Sequence, residues 1–386
     1  MTIKDLTNKF SDSLPWLADN TLFLAKSGSH SYGTNTPTSD EDYKGVCFSP
    51  REYYLGFLNK FEQAQGKDPD LTIYEIRKFF SLAADCNPSI IEVMWVESSD
   101  VVHCSRLWEK HILPNRDKFL STKAKHTFSG YAASQLKRIR THRKWLISPP
   151  KGQPTRTEFG LPEYSPIAPD QLRAADSVIK RKMDEWDVDI ENLDPAQRIE
   201  WQGKLAEMLA SLQYTEENKW IAAGNLLGYD NNFMDILARE RSYRGANMEW
   251  HQYNTWKKER NPARAELEAT HGYDCKHAMH LVRLLRMCRE ILETGKVVVK
   301  RPDAQELLEI RNGMWSYDEL VSWAEQEDLT LNEVAKKSIL PHQPNRIFLN
   351  QLCNNIVSWG LRLSSKNFAY AERRRNKRDK ENKVGV

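Results

Sequence analysis

The chain has 386 residues, 40% of them hydrophobic and 28% charged, which is too long for one typical core and sets an expectation of two or three domains. A formal net charge of +3 is too small to imply a nucleic-acid partner by itself, so the distribution of charge must carry that question. Neither a run of about 18 apolar residues nor a basic-then-apolar leader occurs, which argues against transmembrane and secretory readings. The six cysteines (Cys47, Cys86, Cys104, Cys275, Cys288 and Cys353) lack paired spacing, so the expectation is a reducing, cytoplasmic setting without a zinc site or disulfide framework.

In chain order, Thr21–Ala25 reads as a strand entering a small-residue loop that contains Gly28 and Ser29. Asp40 and Asp42 follow, and a second strand is expected over Tyr43–Phe48. Alternation along extended chain puts Asp40 and Asp42 on one face. Two carboxylates beside a loop of backbone N–H groups suit a triphosphate and its magnesium ions. Glu62–Pro69 reads as a loop, Asp70–Ile76 as a third strand, and Arg77–Ala84 as a helix. Asn87-Pro88-Ser89 is a helix stop and restart before the apolar Ile90–Trp95.

From about Phe128 the pattern is helical. Gly130–Leu146 is strongly basic, with Lys137, Arg138, Arg140, His142, Arg143 and Lys144. Pro149 and Pro150 open an irregular segment to Pro169, and Asp170 caps a predicted helix to Trp186. Asp194-Pro195 marks another start, with Leu205, Met208, Leu209 and Leu212 at core spacing; Thr215 is a further candidate cap. Pro262 begins the last helical section. In the helix after Gly272, Leu281, Leu284, Leu285, Cys288, Ile291 and Leu292 form an apolar face, and Lys276, His280 and Arg283 form one stripe beside it. Gly295 ends that helix, Val297–Val299 reads as a short strand, and the chain is helical again to about Leu363. The basic run from Arg373 to Lys383 is expected to fray into solvent.

A third carboxylate near such a pair could orient or deprotonate an attacking hydroxyl. Asp70 and Glu75 are both candidates. They point to opposite faces of the third strand, and Asp70 is favoured because an unpaired carboxylate in the interior is costly.

The Gly-Ser loop with its Asp-x-Asp pair resembles the signature of the DNA polymerase β-type nucleotidyltransferase superfamily. Further pieces resemble a narrower family, the RNA-ligase-associated polymerase β-like nucleotidyltransferases. They are Gly28-Ser-His-Ser-Tyr-Gly-Thr34 with Ser39-Asp40-Glu-Asp42, Asp70–Phe79 with Asn87-Pro88 and Glu92, Gly272–Arg283, and Ile310-Arg-Asn-Gly313. The resemblance covers roughly residues 20–125 and 265–360.

It implies an α+β catalytic domain with a small mixed sheet over residues 1–125; the helical pattern over 126–260 reads as an insertion, longer from Ile147 to Arg260 than in the simplest members and a candidate substrate-binding region. A C-terminal helical domain over 261–365 would close the site, and 366–386 would be a flexible basic tail. Gly28 and Ser29 would grip the nucleotide phosphates. Asp40 and Asp42 would hold two Mg²⁺ (or Mn²⁺), with Asp70 as the third acid, and Tyr273, Lys276, His280 and Arg283 would join the site. The implied reaction moves an NMP from NTP to an acceptor hydroxyl or phosphate with release of pyrophosphate. RNA is the favoured acceptor, on the two basic clusters, and the family name implies association with an RNA ligase. Transfer to a protein or small molecule, or a nucleic-acid-binding module with an inactive catalytic domain, stands as the alternative.

Overall fold

Five strands make one mixed sheet in the order β3-β4-β2-β1-β5, in a computed structural model that describes residues 2–165, 167–186 and 216–362. They are β1 (Thr21–Ser27), β2 (Asp42–Cys47), β3 (Gln63–Gly66), β4 (Asp70–Glu75) and β5 (Val101–Cys104). Only β2 and β4 run parallel; the other pairs are antiparallel. The α+β architecture expected from the sequence is therefore the one observed.

Alternation decides what each face meets. On β2, Tyr43 and Cys47 join one core with Leu6, Leu17, Leu24, Leu71 and Ile73. Val46 joins the larger core on the other side, built with Ile76, Phe79, Trp108, Met279, Leu284 and Ile356. Fully burying a side chain of this size contributes about 1.5–3 kcal/mol, so these two layers hold the sheet between them. Asp42 and Lys44 share the parity of Val46, and Asp70 and Thr72 share that of Tyr74. The polar mouths of two parallel strands thus lie on the face of the larger core.

That core is roofed by the helix Cys275–Thr294, whose apolar stripe is buried as expected. Asp274 caps its start, accepting from His277 N at 3.1 Å, and Gly295 ends it with φ 67 in the left-handed region. Helices Ala304–Arg311 and Tyr317–Lys337 pack against it, and residues 346–362 are helical.

Several expectations need correction. Strand β2 begins at Asp42, so Asp40 precedes the ladder rather than sitting in it. The stretch read as a loop after Glu62 contains β3, and β5 was not anticipated; both are short edge strands whose sequences lack an apolar alternation. Val297–Val299 forms no strand: Val297 and Val299 are buried, and the backbone just beyond turns to the loop, where Arg301 N donates to Tyr32 O at 3.0 Å. The Asp194-Pro195 start, its Leu205–Leu212 positions, the Thr215 cap and the Arg373–Lys383 run lie outside the described residues.

The chain divides into two compact units, Met1–Leu146 with Pro262–Val386, and Ile147–Asn261. The basic helix Lys123–Ile147 therefore lies almost wholly in the first unit. The second has a core of its own, with Leu172, Ile179, Met183, Trp220, Ala223, Met234 and Leu237. Arg156 pairs there with the buried Glu240. No helix of the described residues is long and apolar enough to cross a membrane.

Candidate active site

The site is set by register. Asp42 on β2 stands directly opposite Asp70 on β4, and on its other side opposite Ser27 on β1. Gly28 follows Ser27 with φ 65, a backbone that favours glycine. A Cβ there would run into Asp42 Oδ2, so the glycine lets the loop lie on the carboxylate. The loop then makes one helical turn, Ser29–Tyr32, tied by Tyr32 N to Gly28 O at 3.1 Å and Ser31 Oγ to Gly28 O at 3.0 Å.

Asp42 is half-buried, whereas Asp70 and Asp40 are exposed. Burial raises the Asp42 carboxyl above its usual range, and Asp70 and Asp40 raise it further; Lys44 and Lys276 oppose them. This is a cluster with more negative charge than its neighbours neutralise, the electrostatic state that favours a cation. Glu75, the competing third carboxylate, is elsewhere. It is buried, accepts from Tyr54 Oη at 2.7 Å and from Arg77 N at 2.9 Å, and caps the helix Ile76–Ala84.

The stripe on the roofing helix faces this strand in a graded way. Lys276, nearest the mouth, feels Asp42; burial lowers its pKa first, with Arg264 and Arg311 adding to the effect. His280, one turn deeper, is held neutral, its pKa pushed well below the usual value by burial and then by Arg283 and Lys276. Arg283 is buried and pairs with Glu92 at 2.8 Å. Tyr273 is placed apart from the carboxylates: its ring is fully buried and its hydroxyl donates to Trp315 O at 2.6 Å.

Other groups here had no assigned role. Lys44 shares the Asp42 face of β2 and donates to Ser89 O at 3.1 Å, a position that alternation alone would have found. Lys300 reaches His30 O at 3.3 Å and Arg311 reaches Thr34 O at 3.5 Å. Both cations rest on main-chain carbonyls of the Gly28–Thr34 loop. Arg311 belongs to a quoted sequence piece but carried no expected function.

A second polar cluster lies at the start of the same helix. His142, Asp274 and His277 bring three donor atoms within 4.8 Å of one another, a spacing a metal ion could use. Arg264 already forks onto the fully buried Asp274, and His142 Nδ1 lies 3.3 Å from it. Together with His277 and Arg264, these contacts pull the Asp274 carboxyl far below its usual range despite burial. The carboxylate is satisfied by the Arg264 guanidinium, the His142 ring and its capping bond, so the cluster is read as structural.

Residues 6–147 match the profile of a family described as RNA repair pathway DNA polymerase beta family. That stretch is thus similar to a polymerase β-type nucleotidyltransferase family of RNA repair. It ends one residue beyond the first unit's N-terminal segment. Over 299 residues, 74% of this chain and 81% of the relative, the sequence is 25% identical to an uncharacterized 38.9 kDa protein from the nrdC-mobD intergenic region of Enterobacteria phage T4. No solved structure matches.

Proposed function

We propose that this chain transfers a nucleoside monophosphate from an NTP to the end of an RNA, releasing pyrophosphate. The observation that carries the reading is the in-register pair Asp42 and Asp70, short of compensating charge, beneath Gly28 and facing Lys276.

Asp42 and Asp70, in register on neighbouring strands with Asp40 just before the ladder, are oxygen donors that fit a divalent cation, and burial followed by the repulsion of Asp70 and Asp40 already raises the Asp42 pKa. Mg²⁺ bound by these residues supplies charge neutralisation on the phosphate oxygens and a more acidic attacking hydroxyl. The protein's own groups do the positioning. Backbone N–H groups of the Gly28–Ser29 turn and the Ser29 hydroxyl bind the β- and γ-phosphates, and Lys276, Arg311 and Lys300 neutralise charge on the departing pyrophosphate. Asp70, exposed at the mouth, accepts the proton of the acceptor hydroxyl at its carboxylate. Such catalysis consists mainly of orientation and fixed charge.

For the acceptor, RNA is favoured by the description of the matched family and by the helix Lys123–Ile147. Lys137, Arg140 and Lys144 line one open groove there with Ala133, Leu136 and Thr141, and clustered basic side chains supply salt-dependent phosphate binding. The test is incubation with Mg²⁺, each α-³²P-labelled NTP in turn and total cellular RNA. RNase-sensitive label supports the reading and names the base. Label that survives RNase and migrates with protein replaces the acceptor, and no label with any NTP overturns the assignment.

A further inference from the structure

Beneath the loop lies a buried charge network that the reaction as proposed leaves without a task. Tyr32 closes the Ser29–Tyr32 turn, and its hydroxyl donates to Glu92 Oε2 at 2.5 Å. Arg283 donates from Nη1 to the other oxygen, Oε1, at 2.8 Å. The same guanidinium lies over the Tyr32 ring, 3.8 Å from its centroid. All three side chains are buried. Glu92 and Lys44 also line, with Ser27 and Ser31, a small cavity of about 10 Å³ under the loop. Three segments far apart in sequence are joined at one carboxylate: the phosphate loop, the short turn Glu92–Trp95 and the roofing helix.

A buried ion pair is an expensive way to fill a core, since apolar side chains of similar volume often serve stability as well or better. What the pair adds is direction. Both oxygens of Glu92 are committed, one to the helix and one to the loop, so a shift of the loop breaks a charge-assisted bond. Arg283 is 6% exposed and its Nη1 is spent on Glu92 and on the Met287 sulfur at 3.1 Å. That geometry suits an anchor better than a direct phosphate ligand.

The geometry points to Glu92 as a positioning residue for nucleotide binding: anchored by Arg283, it holds the Tyr32 hydroxyl and so fixes Gly28 and Ser29 over Asp42 and Asp70. The inference rests on the nucleotide-binding reading of the loop, and it assigns Arg283 to support the loop from behind. Lys44, two residues beyond Asp42 on the same strand face, feels the charge of Glu92 and of Asp42 and Asp70.

Tyr32→Phe tests this with least damage, because it keeps the ring beneath Arg283 and removes only the hydroxyl. Each of the four Mg²⁺–NTPs is titrated into wild type and variant by calorimetry, which needs no acceptor, alongside thermal unfolding without nucleotide. The expected result is a dissociation constant raised roughly tenfold, the size of one hydrogen bond to a charged group, at an unaltered binding stoichiometry. A merely structural role would instead lower the unfolding midpoint and the number of competent molecules while leaving the dissociation constant of the rest unchanged. That result overturns the inference and leaves nucleotide binding intact. Should Tyr32→Phe fail to fold, Arg283→Lys keeps a cation at Glu92 but loses the stacked fork, and the same weakening is expected; unchanged affinity there overturns the inference. Wild-type protein that binds none of the four overturns both this inference and the functional reading beneath it.

Discussion

Asp42 and Asp274 stand near opposite treatments of the same chemical group. Each is an aspartate with carboxylate oxygens turned inward, and each has cations close by. At Asp274 the partners are in contact: the Arg264 guanidinium forks onto it, the His142 ring lies at 3.3 Å, and His277 donates its main-chain N–H. Its carboxyl pKa falls far below the usual range. At Asp42 the nearest partners include two more carboxylates, and its pKa rises. Local pairing completes one aspartate and leaves the other short of compensating charge. On the proposed function, the difference separates a charge that holds the fold from a charge kept for a ligand.

The largest effect that would break this contrast is on catalysis. Asp42→Asn is expected to reduce nucleotidyl transfer by on the order of 10³-fold or more, because a metal-binding carboxylate stabilises the transition state by several kcal/mol. The same change relieves repulsion from Asp70 and Asp40, so the unfolding midpoint without Mg²⁺ should stay level or rise. Mg²⁺ should raise the midpoint of wild type by mass action and leave that of the variant unmoved. A variant with full activity and a normal Mg²⁺ response would remove Asp42 from the site.

Asp274 should behave in the reverse sense. Asp274→Ala is expected to cost about 2–4 kcal/mol of stability, since it removes the carboxylate that Arg264 and His142 share and uncaps the helix that carries Lys276. Its neighbour His277 offers a gentler probe. Burial lowers the His277 pKa to about 4 from 6.5, so the unfolded chain binds the extra proton first as pH falls. Stability is then lost between pH 6.5 and 4, by about 3 kcal/mol in total. His277→Gln should flatten that slope in unfolding titrations; an unchanged slope would place the titrating group elsewhere.

Much of this contrast could be read from the chain, and the part that could not has a physical reason. Asp42 and Asp70 were legible because strand alternation and turn spacing are local properties, and the register then set them side by side. Lys44 was equally available, two residues on from Asp42, but a lysine in a strand carries no chemical signature until its burial is known. The Asp274 cluster was not legible at all: His142 lies 132 residues from its partner, and only the packing of two helices brings them together. Periodicity put Lys276, His280 and Arg283 on one stripe, yet it could not grade their depth. That grading depends on Glu92 arriving from a separate turn. The same limit applies to Tyr273, whose hydroxyl is satisfied by a carbonyl 42 residues away. Edge strands β3 and β5 were missed because their identity comes from ladders with β4 and β1 rather than from an apolar pattern.

Within the site the contrast sharpens at Lys276. Burial and the like charges of Arg264 and Arg311 lower its pKa, the mirror of the strain on Asp42. Lys276→Met should therefore weaken Mg²⁺–NTP binding roughly tenfold, about 1.4 kcal/mol, without lowering the unfolding midpoint of the free protein. An unaltered dissociation constant would assign the lysine to the fold, with Asp274.

The smallest expected effect concerns the acceptor. Lys137, Arg140 and Lys144 are exposed on one groove of the helix Lys123–Ile147, and Arg140 already meets Glu325 at 2.9 Å across an exposed pair. Exposed pairs of this kind contribute little to stability, so replacing all three by alanine should leave folding intact. If the groove carries RNA phosphates, the triple variant should bind RNA several-fold more weakly. The slope of log K against log salt should also fall by about 2, as three lost phosphate contacts on a single strand require. Mg²⁺–NTP affinity should not change, since these side chains act on the acceptor alone. An unaltered salt slope would mean the cluster is simply a solvated face, and would move the search for the RNA-binding surface to another part of the molecule.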